Sequence, residues 1–192
     1  PNPEQLSQWV VVMSVADIEA AVTAVAASGG KVLTTPQDVA ERGKIALIED
    51  DQGAALALLQ TRDGDPADRD PSVGGFLWNE IWPADIERSM SFYARVTGLQ
   101  PATHPTAGEQ QYHYMATATT PRFGLLQQPA AELSPTWVSY IRVRQPEQIA
   151  TRVPELGGRV LLPVQARAVG GEVALIADKI GIIHQGRLVE EF

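Results

Sequence analysis

The stretch "GKIALIED" at residues 43–50 returns as "GEVALIAD" at residues 171–178. The same offset of 128 positions superimposes Gly29-Gly30 on Gly157-Gly158. An offset that holds over a long segment without a gap indicates an internal repeat, and a repeat shows how a fold is assembled. The two ends of the chain are therefore predicted to be copies of one structural unit.

A third copy lies in the middle of the chain. The tetrapeptide "ADIE" occurs at residues 16–19 and again at 84–87, an offset of 68 that also brings Gly30 onto Gly98. We therefore predict three units, at about 8–60, 76–127 and 137–187.

Each unit has the same predicted elements. An extended apolar run is followed by a helical pattern, in which Ile18, Ala21, Val22 and Val25 form one apolar stripe after the helix N-cap Asp17. In the first copy three short strands follow, at about 31–35, 44–50 and 54–60. The unit is βαβββ, and the predicted fold class is α+β.

Composition and charge exclude some classes of partner. The 192 residues include 15 Lys and Arg against 23 Asp and Glu, with a net charge of -8. Such a chain lacks the basic surface that follows a phosphate backbone, so we expect neither a nucleic acid nor a membrane as partner. The absence of cysteine excludes disulfides and thiol catalysis. The compartment stays open, with the cytoplasm preferred over export after leader removal.

The alternation of an "FY" unit, in "SMSFYARVTGL" at 89–99, with "GG" units on either side resembles the vicinal oxygen chelate superfamily. That superfamily comprises glyoxalases, bleomycin-resistance proteins and extradiol dioxygenases. The resemblance implies that consecutive units pair into a domain whose curved sheets enclose a cavity. It specifies the fold much better than the activity.

The resemblance also implies a domain division. Residues 76–192 would form a complete two-unit domain, and 63–75 a linker rich in Asp, Pro and Gly. Residues 1–62 would then be the second half of a domain whose first unit precedes Pro1. Because a lone unit exposes an apolar sheet face, we expect a homodimer through this unit. An unusual three-unit monomer is the alternative.

Metal-dependent members of the superfamily place a ligand seven residues before the aspartate that starts the helix. In the middle unit that position is Trp78, which cannot coordinate a metal. Of the last-strand positions that the resemblance implies, Gln185 alone carries a donor, and a slip of one residue would add His184. We therefore expect no metal and no other cofactor. A divalent metal held by His184 and Gln185 is the alternative.

Glu80 is the main candidate for chemistry. Strand alternation places it on one face with Trp78 and Trp82, looking into the expected cavity. A carboxylate between two indoles could act as a general acid or base, or could bind a cationic ligand with help from cation–π contacts. In the alternative, Glu80 pairs with a basic group such as Arg122 and the tryptophans are core residues.

The strand "QYHYMATA" at residues 111–118 supplies further candidates. His113 could face Glu80 and complete an acid/base pair, although a single strand histidine is more often a satisfied core or surface residue. The predicted catalytic residues are thus Glu80 and His113, and the predicted binding residues are Trp78, Trp82, Tyr112, Tyr114, Tyr140 and Gln185.

Three functions remain open. The first is a protein that binds a small molecule in a metal-free cavity lined by Trp and Tyr. The second is a metal-dependent enzyme of the glyoxalase or dioxygenase kind, a lyase or an oxidoreductase. The third is an assembly module with a vestigial cavity.

Overall fold

The structure, a computed structural model, describes residues 9–104, 111–167 and 169–177. The elements of the first unit are β1 (Val12–Ser14), α1 (Ile18–Ala27), β2 (Lys31–Val32), β3 (Gln37–Val39), a 3-10 helix (Ala40–Arg42), β4 (Gly43–Glu49) and β5 (Ala55–Thr61). The strands pair in the order β1-β5-β4-β2, and β3 also pairs with β4. The strand predicted at 31–35 is limited to Lys31–Val32, and the further short strand β3 follows it at Gln37–Val39.

The second unit shares a sheet with the third. Its elements are β6 (Phe76–Trp82), α2 (Ile86–Thr97), β7 (Gln100–His104), β8 (Tyr112–Ala116) and β9 (Pro121–Leu125). The third unit contributes β10 (Thr136–Ile141), α3 (Pro146–Arg152), β11 (Arg159–Ala166) and β12 (Glu172–Ala177). One sheet runs β10-β6-β9-β8-β7, while β11 and β12 form a separate hairpin. The predicted α+β class is confirmed.

The sequence repeat corresponds to a repeated packing arrangement. A Cβ atom added to Gly30 would come within 2.9 Å of both the Glu49 carbonyl oxygen and the Val25 side chain. At Gly158 it would meet Val153 and the Ala177 carbonyl oxygen, also within 2.9 Å. Those neighbours lie 128 positions apart in the two units, as do the two glycines. Both glycines therefore allow the same close contact between helix and strand.

The helix ends follow from local sequence. The Asp17 carboxylate accepts hydrogen bonds from the backbone N–H groups of Glu19 and Ala20, and Asp85 accepts one from Arg88. These bonds satisfy N–H groups that have no partner within the helix. Helix α2 ends at Gly98, whose φ of 74° is the left-handed conformation that glycine adopts at little cost.

Helices α1 and α2 pack against each other and join the first two units. Ile18 and Val25 of α1 are fully buried in one apolar cluster with Phe92 and Tyr93 of α2. A polar contact crosses the same boundary, where the Tyr93 hydroxyl donates to Asp50 at 2.8 Å. The first unit thus buries its helix side against the second unit. The proposed domain division stays a prediction.

The other face of the first sheet carries exposed apolar side chains. Val12 of β1 and Leu47 of β4 lie on either side of Ala57 of β5, and they are 45% and 37% exposed, whereas Ala57 is buried. This is the face through which we predict a homodimer, and the dimer stays a prediction. In the described part of the chain, no helix is long and apolar enough to cross a membrane.

Candidate binding site

Strand register places Glu80 at the centre of one face of the second sheet. On β6, Glu80 pairs with Val138 of β10 and with Gly124 of β9. Its neighbour Ile81 points the opposite way and is fully buried in the apolar core. Because alternate residues of a strand face opposite sides, Trp78, Glu80 and Trp82 share the face away from α2. This confirms the predicted alternation.

The Glu80 carboxylate is buried and fully hydrogen-bonded. It is 0% exposed. The Tyr112 hydroxyl donates to Oε1 at 2.6 Å and the Tyr140 hydroxyl donates to Oε2 at 2.5 Å. The indole N–H of Trp82 lies 3.3 Å from Oε2. Several donors are needed here because an unpaired buried carboxylate is strongly disfavoured.

Trp78 supports this arrangement from the side. Its indole N–H donates to the Tyr112 hydroxyl oxygen at 2.7 Å, and that hydroxyl in turn donates to Glu80. A chain of donors of this kind orients each member and strengthens the next bond. Trp78 therefore positions Tyr112 and makes no bond to the carboxylate itself.

Arg167 supplies the positive charge that Glu80 pairs with. It follows β11 in the turn to β12, and its Nη2 donates to Glu80 Oε1. The guanidinium carbon also lies 4.8 Å from the centre of the Tyr140 ring and 5.5 Å from that of Tyr112, within cation–π range. The arginine is thus held by a carboxylate and by two aromatic faces.

The two tyrosines are strong donors that resist ionisation. Burial raises the pKa of both hydroxyls well above the usual value of 10.0, and the nearby negative charge of Glu80 raises it further. Tyr112 and Tyr140 therefore stay protonated at neutral pH and continue to donate to Glu80.

Gly124 provides the space for the Tyr112 hydroxyl. A Cβ atom at Gly124 would lie 1.9 Å from the Tyr112 hydroxyl oxygen and 3.0 Å from the Glu80 Cγ. Real Cβ atoms never approach other atoms as closely as 1.9 Å, so any other residue here would push Tyr112 away from Glu80. The glycine in strand β9 is the kind of close backbone approach that an isolated strand glycine indicates.

A cavity of about 370 Å³ opens beside this cluster. It lies between the second sheet on one side and α3 with the β11–β12 hairpin on the other. Tyr112, Tyr140, Trp82 and Arg167 form its polar wall. The apolar wall consists of Leu126, Pro129, Val138, Ile141, Val143, Pro146, Ile149, Leu162, Val169, Val173 and Leu175. Both the volume and the lining are typical of small-molecule sites, which measure roughly 300–1,000 Å³.

The structure brings together five of the predicted site residues and separates others. The five are Trp78, Glu80, Trp82, Tyr112 and Tyr140. Tyr114 is half-buried on the same face, next to Gly124, and does not line the cavity. Gln185 and the alternative ligand His184 lie outside the described residues.

His113 does not face Glu80, contrary to the expected acid/base pair. It is the β8 neighbour of Leu125, which is fully buried on the opposite face of the sheet. Its Nδ1 lies 3.4 Å from the Thr103 hydroxyl. Tyr112 and Tyr114 on either side of it lie on the face of the sheet that carries Glu80, and strand alternation turns His113 the other way.

Sequence reasoning missed Arg167 and named a different partner for Glu80. Arg122 pairs instead with Asp68, at 2.6 Å on the surface. No pattern in the sequence connects Glu80 with a residue 87 positions further on. Gly124 could have been noticed, because a glycine in the middle of the apolar strand "RFGLL" requires an explanation.

The described residues do not fit the divalent ion of metal-dependent family members. Within them, no cluster of three or more His, Cys, Asp or Glu side chains could hold an ion. Both oxygens of Glu80 already accept hydrogen bonds, and Trp78 occupies the position for which the family resemblance implies a metal ligand. A metal-free site remains a prediction for the whole chain.

Comparison with known sequences finds relatives that match most of the chain. The chain is 27% identical over 176 residues to "Putative glyoxylase CFP32" of Mycobacterium tuberculosis, covering 91% of this chain and 67% of that protein. It is 29% identical over 156 residues to "Anthracycline biosynthesis protein DnrV" of Streptomyces peucetius, covering 79% of this chain and 55% of that protein. No family model matches the chain.

Among solved structures, glyoxalase I from Zea mays aligns with 93% of this chain and 65% of its own length, at 17% identity and a TM-score of 0.37. So low a TM-score carries no part of the assignment. The sequence relatives support the resemblance to the vicinal oxygen chelate superfamily that the repeated βαβββ units indicate. The chain spans about two thirds or less of the relatives it matches.

Proposed function

We propose that the chain binds a flat aromatic small molecule in the cavity between its second and third units, without a metal or another cofactor. The observation that carries this proposal is the cavity of about 370 Å³, whose walls combine aromatic and aliphatic side chains with one hydrogen-bonded polar cluster. Apolar walls favour an apolar ligand, and a few fixed polar groups orient it.

One group of relatives favours an aromatic ligand. DnrV is named for anthracycline biosynthesis, and anthracyclines are fused polycyclic aromatic compounds. Tyr112, Tyr140 and Trp82 offer ring surfaces on which such a compound can pack. The negative charge of Glu80 does not prevent the binding of an aromatic ligand, because the carboxylate is buried and its oxygens accept hydrogen bonds from the protein.

The proposal is tested by titration with N-phenyl-1-naphthylamine, an uncharged aromatic dye whose fluorescence rises in an apolar site. We expect saturation at one equivalent. Ala174, a half-buried cavity-lining residue, allows the cavity to be filled by Ala174→Phe. We expect this variant to bind the dye at least about 10-fold more weakly, since the ring takes up ligand space. Thermal unfolding shows whether the variant is folded.

Ala67→Trp serves as the control, because Ala67 is exposed in the segment between the first two units and lies outside the cavity. It adds an aromatic ring without filling the site, so its affinity for the dye should match that of the unmodified chain. Absence of saturable binding, or equal binding by the folded Ala174→Phe variant, would refute the proposal.

A metal-dependent enzyme is the second candidate, favoured by the name "Putative glyoxylase CFP32" of a relative. It requires ligands beyond the described residues, of which His184 and Gln185 are the candidates. Elemental analysis of the purified chain decides between the two. About one equivalent of a divalent transition metal, lost in a His184→Ala variant, would support the enzyme.

A further inference from the structure

We infer that the ligand of this cavity is an aromatic acid, and that Arg167 binds its anionic oxygens. The inference rests on the proposed function and adds the chemical class of the ligand. It begins from an asymmetry in the Glu80–Arg167 pair: the carboxylate is fully enclosed, whereas the guanidinium reaches the cavity.

The carboxylate is inaccessible to a ligand. Glu80 is 0% exposed, and it accepts hydrogen bonds from Tyr112, Tyr140, Trp82 and Arg167. A cationic ligand would have to displace Arg167 to reach it. The sequence predicted that Glu80 and its aromatic neighbours could bind a cationic ligand. In the structure Arg167 takes the place of that ligand.

The guanidinium is accessible. The side chain of Arg167 is 16% exposed, and Arg167 is the one Lys or Arg among the described residues that line the cavity. A guanidinium carries five N–H donors in a planar fork. Its Nη2 binds Glu80, and within the described residues no side-chain hydrogen bond from Nε or Nη1 is present. These donors can bind a carboxylate or sulfonate in the geometry that arginine favours.

Arg167 is also held in place before any ligand arrives. The rings of Tyr140 and Tyr112 lie 4.8 and 5.5 Å from the guanidinium carbon, and Glu80 fixes Nη2. A side chain that is already ordered loses little conformational entropy when it binds, so more of the interaction energy appears as affinity.

The other charged residue of the cavity does not neutralise Arg167. Glu172 begins β12 and pairs across the hairpin with Ala166. It is exposed, and within the described part of the chain it forms no ion pair with Arg167. Water screens an exposed carboxylate far more effectively than a buried one, so Glu172 opposes an anionic ligand only weakly.

The test uses two dyes with the same ring system. 1-Anilinonaphthalene-8-sulfonate differs from N-phenyl-1-naphthylamine by one sulfonate group. At constant ionic strength, we expect the unmodified chain to bind the sulfonate about 10- to 100-fold more tightly than the neutral dye. This range corresponds to one charge-assisted hydrogen-bonded contact in a partly buried site.

Two variants assign that preference to Arg167. Arg167→Gln should abolish the preference for the sulfonate, so that the two dyes bind this variant with similar affinity. Because this change leaves Glu80 without its cation, the double variant Glu80→Gln with Arg167→Gln provides a second measurement with no buried charge. Arg122→Gln is the matched control, since Arg122 pairs with Asp68 on the surface and lies outside the cavity.

The outcomes separate the two proposals. Saturable binding of both dyes with equal affinity overturns the aromatic-acid inference and leaves the binding function standing. The inference is also overturned when a sulfonate preference survives in the folded double variant, or disappears in Arg122→Gln. If neither dye binds, or if binding is unaffected by Ala174→Phe, the binding function itself fails.

Discussion

At the scale of single residues, Glu80 shows why a carboxylate can lie in an apolar sheet face. Two tyrosine hydroxyls, one indole and one guanidinium donate to its oxygens, so burial leaves neither oxygen unpaired. When one partner is removed, the carboxylate stays buried, and the cost of its desolvation is no longer fully offset. The ion pair is therefore expected to show strong coupling between its members.

We predict that Arg167→Met lowers the free energy of unfolding by about 3 kcal/mol at neutral pH, because it leaves Glu80 buried without a cation. The double variant Arg167→Met with Glu80→Gln should recover most of this loss, since no charge remains to be paired. Urea unfolding of the four proteins measures both effects. A double variant as unstable as Arg167→Met would contradict this account of the pair.

At the scale of elements, strand β9 is adapted to its neighbour β8. Gly124 has no side chain at the point where Tyr112 crosses the strand to reach Glu80. The contact is between side chain and backbone, so the strand cannot adjust without moving its ladder of hydrogen bonds.

We predict that Gly124→Ala destabilises the chain by about 1–3 kcal/mol, the usual cost of overpacking, because Tyr112 must leave its position. In a Tyr112→Ala background the same change should cost much less, because the clash with the Tyr112 ring is gone and only the 3.0 Å approach to the Glu80 Cγ remains. Chemical denaturation of this double-mutant cycle measures the coupling. Additive effects would show that Gly124 serves another purpose.

The helices and strands also show which features could be predicted from the sequence and which could not. Asp17, Asp85 and Gly98 were predictable, because helix caps depend on residues within a few positions of each other. The Trp78, Glu80 and Trp82 face was predictable, because strand alternation is equally local. His113 and Arg167 were not, since their placement depends on register and on a turn of a distant hairpin.

At the scale of the whole molecule, Asp50 links the first unit to the second. It is 3% exposed, accepts from the Gln52 and Ala54 backbone and from the Tyr93 hydroxyl, and thereby connects the β4–β5 turn to α2. Burial raises its pKa above the usual 3.8, an effect that these hydrogen bonds partly offset. The folded state therefore prefers the protonated form more than the unfolded chain does.

Because the pKa of Asp50 is raised, we can predict how the stability difference between the unmodified chain and Asp50→Asn depends on pH. The stabilising contribution of Asp50 is fully present below about pH 3.8 and is lost as the pH rises through the raised pKa. The free energy of unfolding of the unmodified chain, relative to Asp50→Asn, should thus fall as the pH rises above about 3.8. Denaturant unfolding at a series of pH values measures the difference.

Asp70 provides a control of opposite sign. Its pairing with Arg142 lowers the pKa of the Asp70 carboxyl, so its contribution is present above about pH 3.8 and is lost as the pH falls. The Asp70→Asn difference should therefore change in the reverse direction, with a small amplitude because the pair is exposed. A parallel trend for the two variants would contradict the role of burial at Asp50.

The position of the ion pair along the chain has a consequence for protein synthesis. Glu80 emerges from the ribosome 87 residues before Arg167, and Tyr140 emerges 60 residues after Glu80. Once Leu125 has been added, the second unit has every strand of its own, but it still lacks Tyr140 and Arg167, which supply one of the hydroxyls and the cation for the buried carboxylate. The cavity therefore belongs to neither unit alone, and it comes into being only when the β11–β12 hairpin closes over a sheet made earlier.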